Sequence, residues 1–226
     1  MSQLSSTTLF NFTDRFEHLK DNLLNGFYAT TAYEKLPKRD NGYSVPMVCF
    51  CDIPLGMIKE HLDWYGNFGL GIRRSYARLH GVTPVFYTHS DSKLISTLLY
   101  QGASNSVNRN LFPLLKQFLG NQSYRNGKPK RKKFYDEHEW RFIPPGSKLQ
   151  LHLNIKKVEA EKDIIKQTLR MPITNYEAIE YIIIEKSKDI KPLLSIFDTI
   201  VRKNKDVNRE LLISKILTVS QIKRDF

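Results

Sequence analysis

The sequence predicts an α+β fold, with mixed or antiparallel sheets and flanking helices. Three observations predict it. Apolar runs of strand length occur beside segments of helical periodicity, the two kinds neither alternate strictly nor repeat at a fixed period, and the composition suits a packed core. Of 226 residues, 41% are apolar, 12% aromatic and 26% charged, near the globular average and far from the disordered class. That length fits one domain over residues 1–226, with a basic loop at 120–134 between its N-terminal and C-terminal parts.

A short apolar stretch at 9–12 precedes an amphipathic helix at 14–25, with Phe16, Leu19, Leu23 and Leu24 on one face, Thr13 as cap and Gly26 as stop. Residues 45–53 read as an apolar strand. Pro54 then takes the favoured first position of a helix on which Leu55, Ile58 and Leu62 share a face, ended by Gly66. A strand at 68–72, a helical turn to His80 and a strand at 84–88 follow. Ser90 and Asp91 open a helix through Leu99, and a second apolar-periodic segment covers 111–119. Strand signals return at 134–143 and 149–153, parted by Pro144-Pro145-Gly146, as a hairpin-like unit. A helix near 159–170, a strand at 178–185, a helix near 192–203 and a helix-to-strand segment through 211–219 complete the order.

The formal charge of +12 favours polyanionic partners, nucleic acid or anionic nucleotides among them. It is concentrated. In the segment 125–133 six of nine residues are basic, Arg125, Lys128, Lys130, Arg131, Lys132 and Lys133, and none is acidic. Tyr124, Phe134 and Tyr135 flank them, an interleaving of cations and rings that suits phosphates and bases. The alternative is a solvated loop without a partner.

Several chemistries are set aside. Gly66-Asn67-Phe68-Gly69-Leu70-Gly71 has its glycines in the wrong order for a dinucleotide fingerprint and leads into a strand rather than a helix. There is no phosphate-binding GxxxxGK[ST], no HExxH and no GxSxG. Six histidines are scattered without metal-ligand spacing, so no metal is expected. The two cysteines, Cys49 and Cys51, lie two apart in an apolar run and read as structural thiols rather than a disulfide or zinc framework. No cationic region followed by an apolar stretch opens the chain, and no apolar run approaches bilayer length; a cytoplasmic protein without membrane attachment is the expectation.

The most informative segment is Tyr135-Asp136-Glu137-His138-Glu139-Trp140-Arg141-Phe142. On a strand, Glu137, Glu139 and Arg141 project to one, charged face, and His138, Trp140 and Phe142 to the other, core face. Two carboxylates and a guanidinium together suit a sugar hydroxyl, a developing oxocarbenium ion or base catalysis. The same pattern also suits an exposed strand face carrying an ion pair.

The motifs Leu9-Phe10-Asn11-Phe12-Thr13, Val45-Pro46-Met47-Val48-Cys49-Phe50-Cys51-Asp52-Ile53-Pro54-Leu55, the glycine turn 65–72 and Pro84-Val85-Phe86-Tyr87 resemble the AbiGi-type abortive-infection family of bacterial phage defence. The likeness covers roughly the first two-thirds of the chain. More distantly, the layout resembles DarT-like ADP-ribosyltransferases. That resemblance implies an ADP-ribosyltransferase-like fold with NAD as substrate, catalysis by Glu139 with Glu137, and cofactor contacts from Asn11, Thr13, Tyr87, Arg73 and Arg141. Arg74 joins the arginines placed to neutralise the pyrophosphate. Asn11 stands where such enzymes carry a histidine, and an asparagine still donates and accepts hydrogen bonds. The acceptor, protein or nucleic acid, would dock on the basic loop. The first reading is therefore a phage-defence toxin of the ADP-ribosyltransferase kind; the alternative that the AbiGi likeness implies is a non-catalytic antitoxin or regulatory half of a two-component system, with a cognate toxin as partner, and the second alternative, from charge alone, is a nucleic-acid-binding module.

Overall fold

The computed structural model describes residues 6–35, 42–89, 92–100, 110–123, 128–152 and 169–225. The chain opens with strand β1 (Thr8–Thr13) and helix α1 (Phe16–Asn25), whose apolar spacing buries Leu19 and Leu23. Gly26 ends the helix at φ 84°, a backbone conformation glycine adopts at little cost. Thr13 does not cap it: Arg15 flanks the first turn without a side-chain bond, and Thr13 Oγ1 lies 3.0 Å from His18 Nδ1. Strands β2 (Phe27–Tyr28), β3 (Thr30–Lys35) and β4 (Gly42–Cys51) follow. Pro54 precedes a 3-10 turn, Leu55–Met57, and helix α2 (Lys59–Tyr65) begins only after it and stops at Gly66. Next come β5 (Phe68–Arg73), α3 (Arg74–Leu79), β6 (Thr83–Pro84) and β7 (Phe86–Thr88), the last two splitting the strand expected at 84–88, and α4 (Lys93–Tyr100).

The segment 111–119 departs from its apolar period. Pro113 cannot supply a helical donor, and the chain makes a 3-10 turn at Phe112–Leu114 and then strands β8 (Leu115–Gln117) and β9 (Leu119–Ser123). The basic stretch is itself largely a strand, β10 (Pro129–Lys133), paired antiparallel with β9. A 3-10 turn at Phe134–Glu137 and His138, at φ 45°, lead into β11 (Glu139–Phe142), so Glu137 does not share a strand with Glu139. The hairpin expected between 134–143 and 149–153 does not form. Strand β12 (Gln150–His152) pairs with β4, while β11 pairs with β6. Arg125, Ser90, Asp91 and nearly all of the helix expected near 159–170 lie outside the described residues. The chain continues through β13 (Arg170–Met171), β14 (Ile179–Ile184), α5 (Ile190–Lys203), α6 (Arg209–Ile213), β15 (Ile216–Thr218) and α7 (Val219–Asp225). The fold is α+β with a mixed sheet and helices.

The described residues fall into two compact units, one drawn from Met1–Phe27, Phe50–His80 and Met171–Phe226, the other from Tyr28–Cys49 and Gly81–Arg170. In the first, β5 pairs antiparallel with β1 on one side and β14 on the other, and β15 runs parallel to β14. Gly69 and Gly71 of β5 stand opposite Phe12 and Phe10, and a Cβ at either would come within 2.8 Å of those rings. The glycines leave room for the rings to lie over the strand, 5.8 Å apart and nearly parallel. Ile58 and Leu62 around α2, and Val219 and Ile222 of α7, close over Phe10, Cys51, Ile53 and Ile183. Leu193, Ile196, Phe197 and Ile200 form the buried stripe of α5.

In the second unit β4 pairs with β3, from Thr30 opposite Met47 to Lys35 opposite Gly42. Its alternate residues Tyr43, Val45 and Met47 form a core with Ile95, Phe112 and Leu115. Strands β7 and β8 pair in parallel. No helix among the described residues is long and apolar enough to cross a membrane.

Gly66 sits at φ 130°, where an added Cβ would fall 2.0 Å from the Thr13 carbonyl oxygen; Gly81, at φ 84°, has open space around it. Gly66→Ala is expected to destabilise the protein by at least about 2 kcal/mol and Gly81→Ala by about 1 kcal/mol. Thermal unfolding followed by circular dichroism separates the two.

Candidate functional site

Glu139 and Arg141 are two residues apart on β11 and therefore share a face. That face is the buried one: Arg141 is 0% exposed and Glu139 6%. The alternation expected from the sequence is present, but its charged side faces inward. Phe142 is also buried, and Trp140 and His138 are half-buried.

A buried guanidinium must satisfy its donors or forfeit several kcal/mol of hydration. Arg141 Nε donates to Glu139 Oε1 at 2.7 Å and Nη2 to Oε2 at 3.2 Å. Nη2 also reaches Glu34 Oε1 on β3, and Nη1 donates to the Pro113 carbonyl at 2.7 Å and the Tyr43 hydroxyl at 3.1 Å. Lys116 of β8 brings the second cation, its Nζ 3.1 Å from Glu34 Oε1 and 3.2 Å from Glu139 Oε2, with the Phe134 ring centroid 4.8 Å away. Two carboxylates thus face two cations, and the Tyr43 hydroxyl donates a hydrogen bond to the Leu115 carbonyl at 2.9 Å.

The electrostatics follow from this pairing. Burial alone would raise the Glu139 pKa, but Lys116 and Arg141 outweigh it and hold the carboxyl well below the usual carboxylate range. Burial would lower Lys116, and Glu139 and Glu34 instead keep it firmly protonated. The Tyr43 and Tyr87 phenols are pushed up by burial and stay neutral. Surrounding protein and the Glu139 carboxylate raise the Cys49 thiol as well, although that residue is exposed; its neighbour Cys51 is buried in the first unit's core.

The residues singled out from the sequence divide between the two units. Tyr87 and Glu139 meet in the second, where the Tyr87 hydroxyl accepts the Glu139 backbone N–H at 2.7 Å, and Arg141 joins them. Glu137, buried nearby in the same unit, pairs with Lys132. In the first unit Asn11 Oδ1 accepts from Asn22 Nδ2 at 3.2 Å, and Thr13 is engaged with His18. Arg73 pairs with Glu180 at 2.9 Å, and Arg74 with Asp52 at 3.0 Å. Among the described residues no group of three or more His, Cys, Asp or Glu is placed to hold a metal. Glu34, Tyr43 and Lys116 escape the sequence reading. A signal for one was present: Lys116 follows Leu114 and Leu115 as a lone cation in an apolar run.

Chemically, Glu139 is a poor proton acceptor. Its pKa is depressed, and three donors, Arg141 Nε, Arg141 Nη2 and Lys116 Nζ, already address its two oxygens. The cluster instead ties β3, β4, β8 and β11 together across long stretches of sequence. Its chemistry is that of a structural ion cluster in a basic α+β protein. No solved structure matches this chain. The family model described as "Putative abortive phage resistance protein AbiGi, antitoxin" matches residues 27–191, more than half of the chain, and the chain belongs to that family. The matched span takes in the whole second unit and with it the charge cluster. Abortive phage resistance protein AbiGi of Lactococcus lactis subsp. cremoris is 27% identical over 244 residues, covering 88% of this chain and 95% of its own. The likeness to DarT-like ADP-ribosyltransferases is not shown by these matches.

Removing one partner from a buried pair leaves the other uncompensated. Arg141→Ala is expected to cost about 3–5 kcal/mol, read as a lowered urea midpoint. The acid limb isolates Glu139. Because its folded pKa is depressed, its stabilisation is full above the unfolded value of about 4.3 and is lost as pH falls toward the folded value. The deficit of Glu139→Gln against the parent, measured by urea unfolding at pH 7, 5 and 3, is therefore expected to shrink at the lowest pH.

Proposed function

We propose that this protein is the antitoxin or regulatory half of a two-component abortive-infection system, acting by binding a toxin protein. The observation that carries the reading is membership of a phage-resistance family described as antitoxin, through a span containing the entire second unit. The geometry supports it, because the carboxylate best placed by sequence for catalysis is engaged by Arg141 and Lys116 and serves cohesion. The chain expressed alone is expected to leave bacterial growth unchanged. Co-expressed with a toxin encoded beside it, it is expected to restore growth and co-elute with that toxin. Growth arrest by the chain alone, relieved by Glu139→Gln, would reverse the assignment and make it the toxin.

A second reading, an NAD-dependent ADP-ribosyltransferase-like toxin, draws on one contact: Tyr87 and Glu139 are adjacent, as a nucleotide pocket there would need. Glu139 would have to release Lys116 or part of Arg141 before holding a ribose hydroxyl. Calorimetric titration with NAD decides it. Micromolar binding weakened by Glu139→Gln supports the transferase, and no heat at millimolar NAD leaves the antitoxin.

A further inference from the structure

The β9–β10 hairpin has two unlike faces. On one, Lys132 stands opposite Gly120, where an added Cβ would fall 2.5 Å from the Phe134 ring, and Lys132 reaches the buried Glu137 carboxylate. This is the inward face. Period-two alternation sends Pro129, Arg131 and Lys133 to the other, opposite Ser123, Asn121 and Leu119. Pro129, Arg131, Lys133, Asn121 and Leu119 are all exposed there.

A stack of rings continues this outward face. His89 lies on Phe118 with centroids 4.4 Å apart and planes 27° apart, and Phe118 on Tyr135 at 5.3 Å and 28°. Tyr135 is 45% exposed and His89 is exposed as well. Lys133 joins the two features, its Nζ 5.7 Å from the centroids of both Phe118 and Tyr135. Asp136, also exposed, pairs with Lys133 at 2.9 Å, and no acidic residue occurs between Lys128 and Lys133.

Independently of the antitoxin reading, we propose that this outward face, with the His89–Phe118–Tyr135 stack, binds single-stranded nucleic acid. Cations on alternate strand residues lie about 7 Å apart, a step one extended nucleotide can span, and they follow a phosphate backbone. An accessible ring at the end of a stack offers a platform to an unpaired base. A duplex keeps its base faces covered and would use the cations alone. An acidic protein would likewise have no use for the stack. The combination of stack and cations therefore selects the single strand.

The test is fluorescence anisotropy of the full chain with labelled 20-nucleotide oligo(dT) and oligo(U), a mixed-sequence duplex of equal length, and polyglutamate as competitor. Expected is salt-sensitive binding to the single strands in preference to the duplex. Tyr135→Ala should weaken it by about fivefold or more, and Arg131→Gln with Lys133→Gln should reduce the slope of log affinity against log salt by about 1.4. Unchanged thermal unfolding of these surface variants verifies the fold. No single-strand binding at low salt overturns the proposal. So does equal binding to duplex that Tyr135→Ala leaves untouched, which would mark a plain electrostatic patch. Equal displacement by polyglutamate overturns it in favour of an acidic protein partner.

Discussion

The second unit depends on the side chain of Arg141. A guanidinium at 0% exposure has no water to turn to, so the surrounding protein supplies its acceptors: two carboxylates, a phenol and the carbonyl of Pro113 in the turn before β8. Lys116 then balances the charge that those carboxylates bring. A buried ion cluster is seldom the most stabilising use of core volume, but it permits few alternative arrangements. Here its ion pairs and hydrogen bonds join Glu34 of β3 to Lys116 of β8 and to Arg141 of β11.

Much of the architecture was legible in local pattern. The first helix and its glycine stop, the strand after the glycine turn, the stripe of α5 and the α+β class all follow from periodicity and turn chemistry acting within a few residues. What was not legible arises from partners distant in sequence. The hairpin expected at 134–153 failed because β12 found β4 and β11 found β6, and nothing local to β11 announces that preference. The segment 111–119 looked helical by spacing while Pro113 and its place beside β7 made it a strand.

The candidate site was half visible for the same reason. The alternation of Glu139 and Arg141 is a property of four consecutive residues and is present on β11, whereas Glu137 falls in the turn before it. Which face turns inward is decided by Glu34, roughly a hundred residues away on the chain, and by Lys116, roughly twenty-five residues away. A charged face reads as solvent-facing until its counter-charges are known to be waiting beneath it. Paired with Arg141 and Lys116, Glu139 serves cohesion, which accords with a family whose description speaks of an antitoxin.

The interleaving of the two units has a consequence for synthesis on the ribosome. The first unit's sheet takes β1 and β5 from early in the chain, yet the neighbour on the open side of β5 is β14, with Ile179 opposite Ile72 roughly a hundred residues later. Until that strand emerges, Leu70 and Ile72 belong to a sheet edge with unpaired backbone groups, the kind of edge that recruits other chains. A product ending before β14 would leave that edge open, so the first unit's sheet is completed only once the chain has been made past Ile179.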